Sequence, residues 1–218
     1  MKRLVIAIDG PSGAGKGTVA RAIAATLDYR HVDSGAMYRA VGWQALERGI
    51  PLDDEERVAA LAAAADIHVD ATRVTIDGHD VTRAIRTPTI DKAAASVARL
   101  PQVRVILVNR QRDMGLHGGI VMEGRDIGTV VFPDADVKIF MDASEEERAR
   151  RRAQDPAHSG GPKAVAEVAS LLTERDQSDR TRTASPLYPA SDAILIDTTG
   201  KSIETVVADV LRVVKQRS

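Results

Sequence analysis

The chain has 218 residues, 44% of them apolar and 28% charged, with a formal net charge of −1. That length supplies one core of ordinary size with room for a small inserted subdomain, and the near-neutral charge argues against a protein that coats nucleic acid polymers. The absence of cysteine excludes disulfide staples, thiolate metal sites and cysteine nucleophiles.

Residues Leu4 to Ile8 form an apolar run that predicts a buried strand. It is too short for a signal peptide or membrane span, and no later stretch approaches the roughly twenty apolar residues of a spanning helix. A cytoplasmic chain with no membrane partner is expected, and with no long exposed apolar stripe demanding a partner, a monomer. Nine residues follow: Gly10, Pro11, Ser12, Gly13, Ala14, Gly15, Lys16, Gly17 and Thr18. Val19, Ile23 and Leu27 then recur at helical spacing, predicting a helix over 18–27. A strand, a glycine loop and a helix in that order form a phosphate-binding loop. Glycines let successive N–H groups point inward at phosphate oxygens, the helix start adds partial positive charge, and Lys16 adds a mobile full charge. Gly17 separates Lys16 from Thr18, a departure from the usual Gly-x4-Gly-Lys-Ser/Thr pattern. Residues 10–18 are expected to bind a nucleoside triphosphate.

A second strand is expected around 29–32, then a helix over 34–47 opened by Asp33 and Ser34, with Tyr38 and Arg39 about one turn in. Ser34 can cap that helix. The helix start then either holds an anionic acceptor, with Tyr38 and Arg39 as phosphate donors, or is a plain cap beside a solvated arginine. Residues 66–86 break the α/β rhythm: Ile67/Val69 and Val74/Ile76 alternate with polar neighbours, and Asp77-Gly78 signals a turn. They predict a small, half-exposed antiparallel hairpin between Ala-rich helices at 55–65 and about 89–99. A helix over 103–114 leads to a strand at 119–123 ending in Glu123, with Arg125 and Asp126 just beyond. In α/β sheets the carboxyl ends of strands carry ligand groups, so these residues either grip phosphate and base or form a salt-bridged turn.

A strand at 137–141 precedes a helix at 144–153, where Ser144 and Glu147 read as a capping box. Arg148, Arg151 and Arg152 share one face of it, as a solvated face paired with Glu145–Glu147 or as a lid bringing arginine to a transferring phosphoryl group. The Gly/Pro-rich segment 155–162 predicts a mobile loop. In the helix over 163–182, Arg175, Asp179 and Arg182 point one way, either an ion-pair ladder or a ribose and phosphate site. A strand at 193–197 and an amphipathic helix at 201–216 complete a parallel sheet covered on both faces. The five histidines show no ligand spacing, and no catalytic role is expected of them.

Gly15-Lys16-Gly17-Thr18 is the nucleoside monophosphate kinase form of the phosphate loop. With Asp33 to Arg39, Gly124 to Pro133 and Glu174 to Arg182, it makes the chain similar to bacterial cytidylate kinases over essentially its whole length. The resemblance implies ATP-dependent phosphorylation of CMP and dCMP, with Mg2+ as cofactor and Thr18 as its protein ligand. It implies a single domain over 1–218: a P-loop three-layer α/β/α core with a central parallel sheet, a monophosphate-binding insertion at about 37–100 carrying a small antiparallel sheet, and a mobile lid at about 148–162. It places Ser34, Arg104 and Asp126 on the cytosine, and Tyr38, Arg39 and Arg125 on the CMP phosphate and sugar. Arg175, Asp179 and Arg182 serve sugar and phosphates, and Asp33 heads the acceptor motif. Lys16, Arg125, Arg152 and Arg182 are the expected catalytic cations, and Glu123 is a candidate for ordering water around Mg2+. Some relatives carry a base-contacting serine near position 95, which here is Ala95. Asp126 as acceptor and Arg104 as donor match the cytosine edge, which presents an amino group beside two acceptors. The rivals are a kinase of another monophosphate or small metabolite on the same scaffold, and a nucleotide-binding regulatory module.

Overall fold

The computed structural model describes residues 3–155 and 165–217. In chain order it runs β1 (Val5–Asp9), α1 (Lys16–Leu27), β2 (Arg30–Asp33), α2 (Ser34–Glu47) and α3 (Glu55–Ala64). Three short strands follow, β3 (Ile67–Val69), β4 (Val74–Ile76) and β5 (His79–Asp80), then α4 (Pro88–Val97) and α5 (Pro101–Gly115). The chain continues through β6 (Ile120–Gly124), a π-helical turn (Ile127–Val131), β7 (Val137–Asp142), α6 (Glu145–Ala153), α7 (Val165–Thr181), β8 (Ile194–Asp197) and α8 (Ile203–Lys215).

Five strands form one parallel sheet in the order β2-β6-β1-β7-β8. Because side chains alternate between the two faces of a strand, the central strands feed two separate cores. Ile6, Ile8, Val121, Ile139 and Met141 pack with Val19 and Ile23 of α1 and Val206 and Val210 of α8. Ala7, Val32, Ile120 and Met122 pack with Met37 and Val41 of α2 and with Val103 and Leu107 of α5. The near-continuous apolar strands of the sequence are thus explained by burial on both faces. Parallel register sets Asp9 beside Gly124 and Asp33 beside Glu123, so the carboxyl ends of β1, β2 and β6 open on one edge of the sheet. No helix among the described residues is long and apolar enough to cross a membrane.

The expected hairpin is a three-stranded antiparallel sheet, β3-β4-β5. The Asp77-Gly78 turn joins β4 to β5, and the turn from β3 to β4 is organised by Asp70, whose Oδ1 accepts from Thr72 and Arg73 N–H at 2.7 and 2.8 Å. Asp77 sits in the left-handed region at φ 49°, and its carboxylate accepts from Asp66 N–H at 2.8 Å and Gln44 Nε2 at 2.6 Å. This ties the small sheet to α2. Its Ile67, Val69, Val74 and Ile76 are all buried, in the same hydrophobic cluster as the α2 face of the main sheet. Ser144 caps α6 through Glu147 N–H at 3.3 Å, but the Glu147 carboxylate pairs with Arg150 and Arg151 and does not complete a capping box. The expected loop at 155–162 lies outside the described residues except for Asp155, as do residues 163 and 164 of the expected helix. Of the expected lid, 148–155 is described.

Candidate active site

The phosphate loop is shaped by what its glycines must avoid. Gly10 has φ 147°, and a Cβ there would stand 2.0 Å from the Met141 carbonyl oxygen of β7. Gly15 takes the N-cap position of α1 in the left-handed region, with no side-chain cap and no acidic residue in the first turn. Helices α3, α4, α6 and α8 are capped by Asp54, Thr87, Ser144 and Ser202. The first N–H groups of α1 are instead left for an external anion. Gly17 explains the departure from the usual loop pattern: a Cβ there would lie 2.8 Å from Glu123 Oε1, so its absence lets the carboxylate at the end of β6 come up against the loop. Lys16 is buried, with Nζ donating to the Pro11 carbonyl at 2.8 Å. Burial, reinforced by the Arg125 charge and opposed by Glu123, Asp9 and Asp33, pulls its pKa down to about 7. A bound phosphate would restore the stabilisation that this cation lacks.

On the acceptor side, Asp33 and not Ser34 caps α2. Asp33 ends β2 in an extended conformation that sets its Oδ1 3.1 Å from Ala36 N–H, whereas Ser34 is already helical and donates its hydroxyl to the Glu123 carbonyl at 2.7 Å. Arg39 Nη2 donates to Asp33 Oδ2 at 2.6 Å. Burial alone would raise the Asp33 carboxyl, but Arg39, Arg86, His31 and the Ala36 N–H hold it below the usual carboxylate range. Arg104 of α5 and Asp126 form a buried ion pair. Arg104 also donates to Ser185 Oγ at 3.2 Å and lies over the Tyr38 ring at 5.6 Å. Burial pushes the Tyr38 phenol up to about 12, so it is a neutral hydroxyl at working pH. Arg125 Nε donates to Asp179 Oδ2 at 2.9 Å, and Arg182 stands 3.8 Å from Asp126 and 3.9 Å from Asp179.

The arginines of α6 do not form one cationic face. Arg148 is buried, pairs with Asp176 of α7 and donates to the Ser12 carbonyl of the phosphate loop at 3.1 Å. Arg151 bonds Glu147 and Thr198, at 2.8 and 2.9 Å. Arg152 pairs with Asp91 of α4, which also takes Arg175 at 3.1 Å. A guanidinium has five donors, so each neighbour finds a different acceptor when helices converge.

These groups line one cleft of about 980 Å³, walled by residues 12–18, by Asp33, Ser34, Tyr38 and Arg39, by Arg104, Arg125 and Asp126, and by Arg152, Arg175, Asp179 and Arg182. Of the residues expected in the site, Gly10 and Pro11 alone do not reach its wall. Several buried guanidinium N–H groups there have no hydrogen-bond partner: Arg39 Nε, Arg175 Nε and Arg182 Nη2. Each such donor costs roughly 1–3 kcal/mol unless something fills it, and an anionic ligand does so. Sequence reasoning missed Asp9, His31, Asp91 and Ser185. His31 Nε2 lies 3.3 Å from Glu123 Oε1 and fixes that carboxylate. None of the four sits in a recognisable pattern, because each acts on a residue distant in the chain.

The family model for cytidylate kinase matches residues 6–216. The chain belongs to the cytidylate kinase family. A cytidylate kinase of Desulfitobacterium hafniense (strain Y51) is 51% identical over 213 residues, covering 96% of this chain and 92% of that protein. One from Solibacter usitatus (strain Ellin6076) is 45% identical over 218 residues, covering 99% and 94%. Among solved structures, a gluconokinase from Sinorhizobium meliloti 1021 superposes with a TM-score of 0.51 at 14% identity, over 97% of this chain and 91% of that one, a shared fold. The matched span thus includes the phosphate loop, the acidic ends of β1, β2 and β6, and all the arginines of the cleft.

Proposed function

We propose that this chain transfers the γ-phosphoryl group of ATP to CMP or dCMP, giving ADP and CDP or dCDP. The observation that carries the reading is the cleft itself, with an uncapped helix start and Lys16 at one end and the buried Arg104–Asp126 pair at the other. Residues 10–18 wrap the ATP phosphates. Asp126 accepts from the cytosine amino group while Arg104 donates to the ring acceptors, and Ser34 completes the base site. Tyr38, Arg39 and Arg125 orient the monophosphate, with Arg175, Asp179 and Arg182 on its sugar and phosphate.

A phosphate oxygen of CMP forms the new bond to the γ-phosphorus as the bond to the bridging oxygen of ADP breaks. Protein chemistry here is positioning and charge neutralisation, supplied by Lys16, Arg125, Arg152 and Arg182. For Arg152 to serve, the Asp91 carboxylate must yield it to phosphate. The donor set near the loop, the Thr18 hydroxyl and the Glu123 carboxylate, is oxygen-only and suits Mg2+. Among the described residues no group of three or more acidic, His or Cys side chains could hold a metal ion alone, which fits a cation sharing its shell with phosphates and water. Bound Mg2+ would neutralise charge on the transferring phosphates. The same reading divides the chain into a core, an insertion at about 37–100 and a lid at about 148–162.

Measuring ADP release with CMP, dCMP, UMP, AMP and GMP tests the proposal. Turnover with CMP and dCMP far above the others is expected. ATP hydrolysis that ignores the monophosphate, or none at all, would favour a regulatory nucleotide-binding module.

A further inference from the structure

Asp9 ends β1, immediately before the phosphate loop, and is 5% exposed. The transfer reaction described above leaves it without a task. Its Oδ1 accepts the N–H of Ile127 at 2.8 Å and its Oδ2 that of Gly128 at 2.7 Å. These are the first two N–H groups of the π-helical turn after Asp126. An N-cap side chain ordinarily accepts from the second or third N–H of the turn it opens, here Gly128 or Thr129. Here the N-cap residue is Asp126, a good capping type, yet its side chain makes no capping bond and is paired instead with Arg104. A carboxylate 118 positions away does the capping in its place. The space is close-fitting, since a Cβ on Gly128 would lie 3.4 Å from Asp9 Oδ2 and 3.3 Å from the Lys138 side chain.

We propose that Asp9 is a positioning residue for acceptor specificity: by capping the 127–131 turn from β1, it releases Asp126 to face Arg104 and the base, and it ties the base-reading turn to the end of the strand that enters the phosphate loop. This role rests on the functional reading above. The physical core of it is a competition. Asp126 can cap the turn at Gly128 or face the Arg104 and base donors, but one carboxylate does not reach both sets well. With Asp9→Asn a single amide oxygen remains for two buried N–H groups and a donor faces the other, so one needs a new acceptor, and Asp126 is the adjacent one. Its withdrawal would leave Arg104 turned toward the base without its partner. The phosphate loop keeps its own supports, the β1 pairing and the packing of Gly10 on Met141, and the loss of the Asp9 charge near Lys16 acts alike on every acceptor, so the ratio between acceptors isolates the turn.

The experiment compares the unsubstituted chain with Asp9→Asn, Asp126→Asn and the double variant, measuring kcat/KM for CMP and UMP and KM for ATP. Asp9→Asn should lower the CMP-to-UMP preference by about tenfold, beyond any change in KM for ATP that the lost charge near Lys16 brings equally to both acceptors. In the double variant the loss of preference should equal that of Asp126→Asn alone, because Asp9 acts through Asp126. Additive losses, or equal losses for CMP, UMP and ATP, would overturn the role. Should Asp9→Asn not fold, as judged by thermal unfolding, Asp9→Ser, which also leaves a single acceptor oxygen but sets no amide donor against the N–H groups, carries the same test with the same outcomes. Failure of the unsubstituted chain to use CMP would instead sink the functional reading.

Discussion

Replacing Asp126 by Asn probes the base site most directly. Its carboxylate is buried beside Arg104, with Arg182 at 3.8 Å, and offers acceptor oxygens only. The 4-amino group of cytosine is a donor, whereas uracil has a carbonyl at that position. An amide in place of the carboxylate turns one acceptor into a donor, so it mismatches cytosine and suits uracil. A buried polar group left without its partner costs roughly 1–3 kcal/mol, about 5- to 150-fold in kcat/KM. Truncating one member of a buried ion pair costs about 3–5 kcal/mol of stability, but Asn keeps an oxygen for Arg104 and should cost less. Steady-state ADP release with CMP and with UMP at saturating ATP should show kcat/KM for CMP falling within that range while that for UMP holds or rises. Thermal unfolding separates this from a general loss of fold. Equal losses with both monophosphates would refute the assignment of Asp126 to the base.

On the proposed reading, in which the Lys16 charge acts on the transferring phosphates, Lys16→Ala should reduce kcat by more than about tenfold. Its unfolding temperature should hold or rise, since folding places that cation where its pKa falls to about 7. Arg148→Met should destabilise the chain by about 3–5 kcal/mol in denaturant titrations by leaving Asp176 buried without its partner, and a loss under about 1 kcal/mol would refute that role. Burial raises the Asp9 pKa from 3.8 to about 6, with the Gly128 and Ile127 N–H groups pulling back. The folded state therefore holds a proton that the unfolded chain has released between those values, and the Asp9 contribution to stability declines as pH rises from 3.8 through about 6. Full ionisation corresponds to about 3 kcal/mol. Relative to the unsubstituted protein, Asp9→Asn should gain up to that amount on going from pH 4 to pH 7, and a gap independent of pH would exclude the shift.

Local code carried the sequence reading a long way. Glycines followed by a lysine predict a phosphate loop because conformation and charge there depend on neighbours in the chain, and the structure places residues 12–18 on the cleft wall. Apolar runs of four to six residues predict strands, and the five parallel ones are where they were expected. Turn chemistry also read correctly at Asp77-Gly78, although the third strand of the small sheet was not foreseen, because a two-residue strand such as β5 carries almost no pattern.

What the sequence alone did not determine is the partner of each charge. Arg148, Arg151 and Arg152 occupy one helical face, yet they serve Asp176, Thr198 and Asp91 on three different elements. Asp33 took the cap expected of Ser34, and Asp9 caps a turn that Asp126 would ordinarily cap. Helical and strand periods follow from backbone geometry over a few residues, so they are written along the chain. Ion pairs and capping bonds in a buried cleft form between groups that only the packed sheet and helices bring within 3 Å or so, and many acceptors compete for each guanidinium until the tertiary structure selects one.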